Sequence, residues 1–255
     1  MCNRKCSAGV ASGRRPRTAD AKGASAITRD AYRRLAGIYD RVVEPAASAL
    51  RRQGVQVLPP QENLSILDVG CGAGAQLALY RKAGCRLAGV DLSPAMVARA
   101  RAKLGDAAEI LCEDASHMSF ASGSFDLVMM VTVLHELPQA LRPSVLEECK
   151  RVTKPDGRIL LMDYHTGPYP FPKGKLWKTL ITGLEVLAGR QHYASYRDFM
   201  AHGGLEGFVP SLNATVVTRL VPESGTAAVY VLQPWPVAAG AHSVNGREHH
   251  TGRDD

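Results

Sequence analysis

The chain has 255 residues, 45% of them hydrophobic, which suits one folded domain with a substantial core. Its formal net charge of +7 lies mostly in the N-terminal segment: residues 1–29 carry +6, residues 236–255 carry −1, and residues 30–235 carry +2. A nearly neutral body argues against a nucleic-acid partner, and no apolar run reaches the ~20 residues that a transmembrane helix needs.

Cysteine usage bears on the compartment. None of the six cysteines forms a Cys-x-x-Cys pair, and no apolar stretch typical of a secretory signal opens the chain. We therefore expect a cytoplasmic protein without a metal centre. The Arg-rich N-terminal segment leaves an organelle transit peptide as an alternative.

The pattern of large apolar residues divides the chain into three parts. Residues 1–28 form a basic segment with few large apolar side chains, and residues 236–255 are polar and rich in Ala, Gly and His, so both predict disorder. Residues 29–235 predict the folded domain. Its first feature is an apolar stripe on one face of a helix, formed by Tyr32, Leu35, Tyr39 and Val42.

Strands and helices alternate through the middle of the chain. Strands are predicted at 65–69, 86–91, about 108–112, 125–131 and 158–163, and helices are predicted to end near 82, 104 and 152. Ser93-Pro94 is typical of a helix start. Strands separated by helices of this length predict a parallel sheet. Two later segments, about 213–220 and 227–232, are joined too closely for a crossover helix and predict an antiparallel hairpin at the sheet edge.

A glycine-rich loop follows the first of these strands, in the sequence LDVGCGAG at 67–74. Gly70, Gly72 and Gly74 allow a sharp turn and a close approach to a ligand. Asp91 ends the next strand 21 residues after Gly70, a spacing that suits a carboxylate binding ribose hydroxyls. The loop alone also fits a dinucleotide site, since Gly70, Gly72 and Ala75 match that fingerprint.

Acidic residues around the loop favour a cationic ligand. Asp68 lies two residues before the turn, where it would oppose a pyrophosphate by roughly 4 kcal/mol per contact at ~4 Å and an effective dielectric of ~20. The same carboxylate attracts an ammonium or a sulfonium group. Asp114, just after the third strand, suits a hydrogen bond to an adenine amino group. Three acids around one glycine loop therefore predict a positively charged nucleoside such as S-adenosylmethionine.

These motifs resemble those of the class I S-adenosylmethionine-dependent methyltransferases, especially the broad group that includes quinone-pathway methylases. The resemblance covers about residues 30–165 and rests on LDVGCGAG at 67–74, VDLSPAMVARAR at 90–101, EDA at 113–115, FDLVMMVTVLHEL at 125–137 and RVTKPDGRILLMD at 151–163. It implies a Rossmann-like open sheet of seven strands, mostly parallel with an antiparallel last strand, and helices on both faces. The cofactor-binding core would then span about 62–165, with an acceptor-covering insert at about 166–204.

The resemblance also assigns cofactor-binding residues. It implies that Asp68, Gly70, Gly72 and Gly74 hold the methionine part, that Asp91 binds the ribose beside Leu92 and Met96, that Asp114 and Ala115 meet the adenine, and that Val131 and Thr132 line the floor of the site. In related enzymes the N-terminal helix closes over the cofactor, which makes Tyr39 a further candidate.

Acceptor-facing residues are expected just past the ends of the fourth and fifth strands. His135 lies there and, as a neutral imidazole, could take a proton from a hydroxyl or a phenol, although it could instead simply cap a loop or helix. Asp163, Tyr164 and His165 follow the fifth strand, and one of them could face the acceptor. The expected partner is a small molecule: a quinol, a lipid head group or a secondary metabolite.

The insert at 169–203 carries an apolar stripe behind three lysines. The stripe contains Trp177, Leu180, Ile181, Leu184, Leu187 and Ala188, and the lysines are Lys173, Lys175 and Lys178. The simpler hypothesis is a helix that covers the pocket. The alternative is a mouth for an apolar acceptor at a membrane surface.

Two other functions remain open at this point. A nicotinamide-dependent oxidoreductase could use the same glycine loop, although Asp68 argues against it. A non-catalytic protein could bind the cofactor without turnover. The sequence identifies neither the acceptor nor the atom that is methylated, and it does not indicate the oligomeric state.

Overall fold

The computed structural model describes residues 44–81, 84–223 and 225–234. The two predicted disordered tails and the predicted N-terminal helix with Tyr39 lie outside the described residues.

A seven-stranded sheet forms the centre of the domain, with strand order β3-β2-β1-β4-β5-β7-β6. The strands are β1 Ser65–Val69, β2 Arg86–Val90, β3 Ala108–Leu111, β4 Phe125–Val131, β5 Thr153–Tyr164, β6 Thr215–Leu220 and β7 Ala227–Gln233. The first five are parallel, and β7 runs antiparallel to both β5 and β6. The predicted fold class and the predicted edge hairpin are therefore confirmed.

Helices pack on both faces of this sheet. They are α1 Glu44–Val57, α2 Leu77–Tyr80, α3 Pro94–Leu104, α4 Arg142–Val152, α5 Lys173–Ala188, α6 Arg190–Ala201 and α7 Gly204–Phe208. Side chains from α1, α2 and α3 join the core cluster on one face, and side chains from α4, α6 and α7 join the cluster on the other.

The two core clusters follow from the alternation of side chains along each strand. In β1, Ile66 belongs to the cluster beneath α1–α3, whereas Leu67 belongs to the opposite cluster, and both are fully buried. In β4, Met129 and Met130 divide in the same way. A strand covered on both faces needs apolar residues at every position, which is why these strands read as continuous hydrophobic runs.

The helix after the glycine loop is shorter than its sequence pattern predicts. A helix is expected to about residue 82, but α2 covers only Leu77–Tyr80. Gly70, Gly72 and Gly74 all have positive φ angles, which continuous helical geometry does not allow, so the helix begins only after residue 74. The helix start predicted at Ser93 is confirmed, since its Oγ accepts a hydrogen bond from the backbone N–H of Met96 at 3.4 Å.

Strand β5 is longer than predicted because it begins at Thr153, directly after α4, rather than at residue 158. Its pairing with β4 shifts register between Phe125 and Leu127. The segment between β5 and β6 contains α5 and α6, which are separated by Gly189 at φ +123°. Within the described part of the chain, no helix has the length and apolar character needed to cross a bilayer.

Candidate active site

The glycine loop between β1 and α2 lies against the segment that follows β4. The backbone N–H groups of Gly70 and Cys71 both donate to the carbonyl of Val90, at 2.9 and 3.0 Å, and this fixes the turn over β2. A Cβ atom added at Gly70 would lie 2.6 Å from Cγ2 of Val133. The loop and the segment after β4 are therefore in direct contact, and only glycine fits at their closest point.

The other two glycines serve different purposes. A Cβ added at Gly72 would meet nothing within 4 Å, so this part of the loop borders open space. A Cβ added at Gly74 would lie 2.8 Å from Leu104 Cδ1, which places Gly74 against α3. Close packing of loop and helix thus explains Gly74 by itself, and its assignment to the cofactor stays a prediction.

Asp91 connects the end of β2 to the loop. Its Oδ2 accepts a hydrogen bond from the backbone N–H of Gly72 at 2.8 Å, and its Oδ1 accepts one from that of Ser93 at 2.8 Å. A carboxylate offers about four acceptor sites, so two of them remain for ribose hydroxyls. The geometry is compatible with the expected ribose role and adds a second one, that of holding the loop in place.

Asp68 is the most unusual acid of the site. It is 2% exposed, and among the described residues its Oδ1 has no hydrogen-bond partner. Burial, and next the nearby Asp91, raise the pKa of Asp68 to about 8, although Arg51 opposes the shift. A buried carboxyl without a partner is costly unless a ligand completes it. An ammonium or sulfonium group would supply that partner, so the residues present fit S-adenosylmethionine.

The residues expected around the ribose and adenine lie along the same edge of the sheet, after β2 and β3. Leu92 is 69% exposed, and Met96 is half-buried at the start of α3. Asp114 is exposed, and its Oδ1 accepts hydrogen bonds from the backbone N–H and the hydroxyl of Ser116. Ala115 packs against the core. Leu92 and Asp114 are thus accessible to a ligand, and their roles in cofactor binding stay predictions.

Val131 ends β4, where it pairs with Met162. The next residue, Thr132, has a φ of +56° and donates its backbone N–H to the carbonyl of Met162 at 2.7 Å. A β-branched residue in the left-handed region is strained, and such strain often marks functional sites. The turn at Thr132 carries the chain from β4 past Gly70 to His135.

His135 and Asp163 form a buried pair at the carboxyl ends of β4 and β5, with His135 just past β4 and Asp163 as the second-to-last residue of β5. The two side chains are 3% and 1% exposed, and Nδ1 of His135 lies 2.7 Å from Oδ1 of Asp163. The backbone N–H groups of His135 and Tyr164 also donate to this carboxylate, at 3.3 and 2.7 Å. Because an ionised carboxylate only accepts, Nδ1 carries the hydrogen and Nε2 is directed to the opposite side of the ring.

The charge state of His135 follows from its neighbours. Burial by itself lowers the pKa of this imidazole, but Asp163, followed by Glu185 and Glu136, outweighs burial and raises the pKa to about 9. At neutral pH the ring is therefore largely an imidazolium. The neutral base expected from the sequence becomes the main form only above about pH 9.

Glu185 of α5 closes the other side of the pair. Its Oε1 lies 3.7 Å from Nε2 of His135 and accepts a 2.7 Å hydrogen bond from the hydroxyl of Tyr164. Its Oε2 lies 2.5 Å from Nε2 of His192 on α6. Burial raises the pKa of Glu185, but its hydrogen bond to His192 and the charge of His135 lower that pKa by more. The pKa of Glu185 therefore lies below its usual value. A buried carboxylate therefore faces both imidazoles.

Metal ligation is the other use of such a cluster, because atoms of His135, Glu136 and His192 lie within 4.8 Å of one another. In this structure Nε2 of His192 is ion-paired with Glu185 at 2.5 Å, and Nδ1 of His135 is paired with Asp163 at 2.7 Å. Because these nitrogens already have carboxylate partners, we interpret the cluster as a proton-handling site.

Of the three residues that follow β5 in the sequence prediction, two join this cluster. Asp163 holds His135, and Tyr164 packs against its ring with centroids 4.5 Å apart. His165 lies elsewhere, with Nδ1 2.9 Å from Oε2 of Glu206.

Arg142 positions α6 over the cluster, a role that no sequence pattern indicated. This arginine is 3% exposed and donates to the carbonyl of Leu134, to Asp198 and to the carbonyl of Ser195, at 3.1, 2.7 and 3.0 Å. Glu185 was also missed, although it is the only acid of α5, and a lone acid in a largely apolar helix is a usable signal.

Comparisons with known proteins agree with this geometry. Residues 67–161 match the family described as "Methyltransferase domain". Nocamycin O-methyltransferase of Saccharothrix syringae is 34% identical over 57% of this chain and 52% of its own length. The 2-methyl-6-phytyl-1,4-hydroquinone methyltransferase of Synechocystis sp. is 33% identical over 71% of this chain and 54% of its own length. The chain thus spans about half the length of these curated relatives.

A solved structure supports the fold. The 1,6-didemethyltoxoflavin-N1-methyltransferase of Burkholderia thailandensis, solved with S-adenosylhomocysteine, superposes with a TM-score of 0.53 over 89% of this chain and 92% of its own, at 17% identity. Residues 67–161 therefore match a methyltransferase domain, within a chain that has the class I fold its motifs predicted. This family favours the methyltransferase over the oxidoreductase alternative.

Proposed function

We propose that this domain transfers a methyl group from S-adenosylmethionine to a small-molecule acceptor with an ionisable hydroxyl, such as a quinol or a phenolic secondary metabolite. The observation that carries the proposal is the His135–Asp163 pair. In this pair, His135 lies two residues past Val133, which contacts the glycine loop. An imidazole that accepts a proton in its neutral form therefore lies next to the cofactor site. Acceptors with a weakly acidic hydroxyl need such a base.

The cofactor is held by acids and backbone along the carboxyl edge of β1–β3. We assign the ammonium and sulfonium side to Asp68, the ribose to Asp91 and the adenine to Asp114, with Leu92 covering the base. When bound, S-adenosylmethionine supplies a methyl group already activated by the positive sulfur. The protein's own contribution is alignment of the acceptor and removal of its proton.

Proton transfer is the step that the residues after β4 and β5 would perform. As the acceptor oxygen bonds to the methyl carbon and the carbon–sulfur bond breaks, the electron pair of that bond goes to sulfur. The hydroxyl proton passes to Nε2 of neutral His135, and Asp163 stabilises the resulting imidazolium. Glu185 lies in front of Nε2 in this structure, so the acceptor must displace its carboxylate.

The names of two relatives support a hydroxyl acceptor: one is an O-methyltransferase and the other a hydroquinone methyltransferase. We also propose a cytoplasmic location. In its support, the four cysteines within the described ranges, Cys71, Cys85, Cys112 and Cys149, are unpaired, as a reducing compartment would keep them.

The test is transfer of labelled methyl from S-adenosylmethionine to a panel of quinols, phenols and matched amines, followed by mass spectrometry. We expect label in the hydroxyl compounds and loss of turnover in His135→Asn, with cofactor affinity unchanged. Tight cofactor binding without turnover on any acceptor or cell extract would instead support the non-catalytic alternative. Preferred labelling of amines would refute the hydroxyl acceptor.

A further inference from the structure

Helix α5 has its polar side turned inward. Lys178 donates to the hydroxyl of Tyr196, Thr182 lies 3.3 Å from the same hydroxyl, and Glu185 accepts from Tyr164 at 2.7 Å. Helices on globular proteins normally turn their apolar stripe toward the core. In α5 the polar side instead faces the candidate active site, and its side chains meet polar partners there.

The exposed side of α5 nevertheless carries large apolar side chains. Phe171, in the turn before the helix, is 82% exposed, and Leu176, Leu187 and Val186 are 71%, 54% and 50% exposed. These four are among the ten exposed large hydrophobic residues of the described chain. No apolar side chain of α5 belongs to either core cluster. Such a concentration of exposed apolar groups marks an interaction surface.

The charge of this surface is positive. Lys173 and Lys175 are exposed at the start of α5. The only acid between residues 166 and 189 is Glu185, which is buried on the inner side. The outer surface of α5 therefore combines exposed apolar side chains with lysines and carries no exposed carboxylate.

We propose that the outer surface of α5, formed by Phe171, Lys173, Lys175, Leu176, Val186 and Leu187, docks on an anionic lipid surface. Apolar residues insert into the interface between head groups and acyl chains, and lysines pair with anionic head groups. A second copy of the same surface would bring lysines against lysines. The N-terminal segment 1–29, with a net charge of +6, is likewise repelled by Lys173 and Lys175.

Docking would place the active site at the lipid. Glu185 lies in front of His135 on the inner side of the same helix, so an acceptor dissolved in the bilayer would reach the imidazole by passing α5. This consequence rests on the proposed function, whereas docking itself rests on the surface alone. The test therefore measures lipid binding without donor or acceptor.

Trp177 provides a reporter within α5. The chain has two tryptophans, so in a Trp235→Phe variant of the full chain Trp177 is the only one. The probe is vesicles of phosphatidylcholine with or without phosphatidylglycerol, in which a brominated acyl chain quenches nearby tryptophan. We expect a blue shift and quenching of Trp177 with the anionic vesicles, and little of either with neutral ones.

Variants separate α5 from the basic N-terminal segment. In the same background, Leu176→Ser with Leu187→Ser should weaken vesicle partitioning by about tenfold or more, and Lys173→Gln with Lys175→Gln by roughly tenfold. The matched control is Val217→Ser, since Val217 is 50% exposed on β6 and should have no effect. Circular dichroism verifies that each variant is folded.

Three outcomes would overturn the proposal. Co-sedimentation without Trp177 quenching would assign lipid binding to another part of the chain. Absence of vesicle binding would exclude docking. A change of sedimentation coefficient in the leucine variants without a change in vesicle binding would identify the surface as a contact between copies. Failure of methyl transfer affects none of these readouts.

Discussion

Nδ1 of His135 donates a 2.7 Å hydrogen bond to Oδ1 of Asp163, and this bond joins the segment that follows β4 to the end of the neighbouring parallel strand β5. The carboxylate holds the ring in one tautomer and leaves Nε2 as the atom that can exchange a proton. Because Val133 contacts Gly70, the same short segment links the imidazole to the cofactor loop. If the pair acts in this way, replacing Asp163 should lower turnover.

Asp163→Asn should lower kcat by about 10²–10⁴-fold. An asparagine amide can donate to Nδ1 and so favours the wrong tautomer, and it no longer stabilises an imidazolium. The dissociation constant of S-adenosylmethionine should change little, since Asp163 lies outside the glycine loop. Turnover under saturating substrates and calorimetry of cofactor binding check both statements. A kcat within about threefold of the parent would contradict the role of the pair.

The pH dependence of kcat/KM follows from the raised pKa of His135 in the substrate-free protein. A base is active only when unprotonated, and the pKa of about 9 keeps it mostly protonated below that value. At acceptor concentrations well below KM, kcat/KM should therefore rise by about tenfold per pH unit below 9 and level off above it. A kcat/KM that is constant between pH 7 and 9 would show that His135 is not the base.

Asp68→Asn should stabilise the ligand-free protein at alkaline pH. A carboxyl whose pKa is about 8 when folded binds its proton more tightly than in the unfolded chain, so ionisation costs folding free energy as the pH rises from about 4 to 8. The variant has no carboxyl to ionise, so above pH 8 its free energy of unfolding should exceed that of the parent by at most about 5 kcal/mol. Urea unfolding at pH 4.5 and 8.5 measures it. Equal differences between variant and parent at both pH values would contradict the assignment.

Cofactor binding should release a proton from Asp68 at pH 7. The carboxyl is largely protonated in the ligand-free protein because of burial, whereas a cationic ligand favours the carboxylate. Calorimetry in two buffers of different ionisation enthalpy counts the released protons. In Asp68→Asn this proton should disappear, together with at least about a 100-fold loss of affinity, roughly the value of a buried ion contact. Unchanged proton release would place the cationic group elsewhere.

Gly70→Ala should destabilise the domain more than Gly123→Ala. Both glycines have positive φ, +72° and +63°, so each substitution strains the backbone by about 1 kcal/mol. Only at Gly70 does the new Cβ meet a neighbour, Val133 at 2.6 Å, which adds about 1–3 kcal/mol. Denaturant unfolding of the two variants gives the difference. Gly70→Ala with Val133→Ala should recover part of the loss, and no recovery would mean that the clash is relieved by other movements.

Much of the cofactor side could be predicted because its signals are local. The turn at 70–74, the acid that ends β2 and the cap at Ser93 each depend on a few consecutive residues. The acceptor side depends on α5 and α6 packing against the ends of β4 and β5. Glu185 lies 50 residues after His135 in the chain, and no periodicity connects them.

Sequence by itself determined the sheet, the edge hairpin and the acids around the glycine loop, because strand burial and turn geometry are set by neighbouring residues. Only the tertiary structure decided which polar groups face His135, and therefore that this imidazole is protonated at neutral pH. The physical reason is that a pKa depends on charges and burial in three dimensions, and the carboxylates that raise it come from separate elements. The same packing left Leu176, Val186 and Leu187 of α5 exposed, which the sequence pattern of that helix does not indicate.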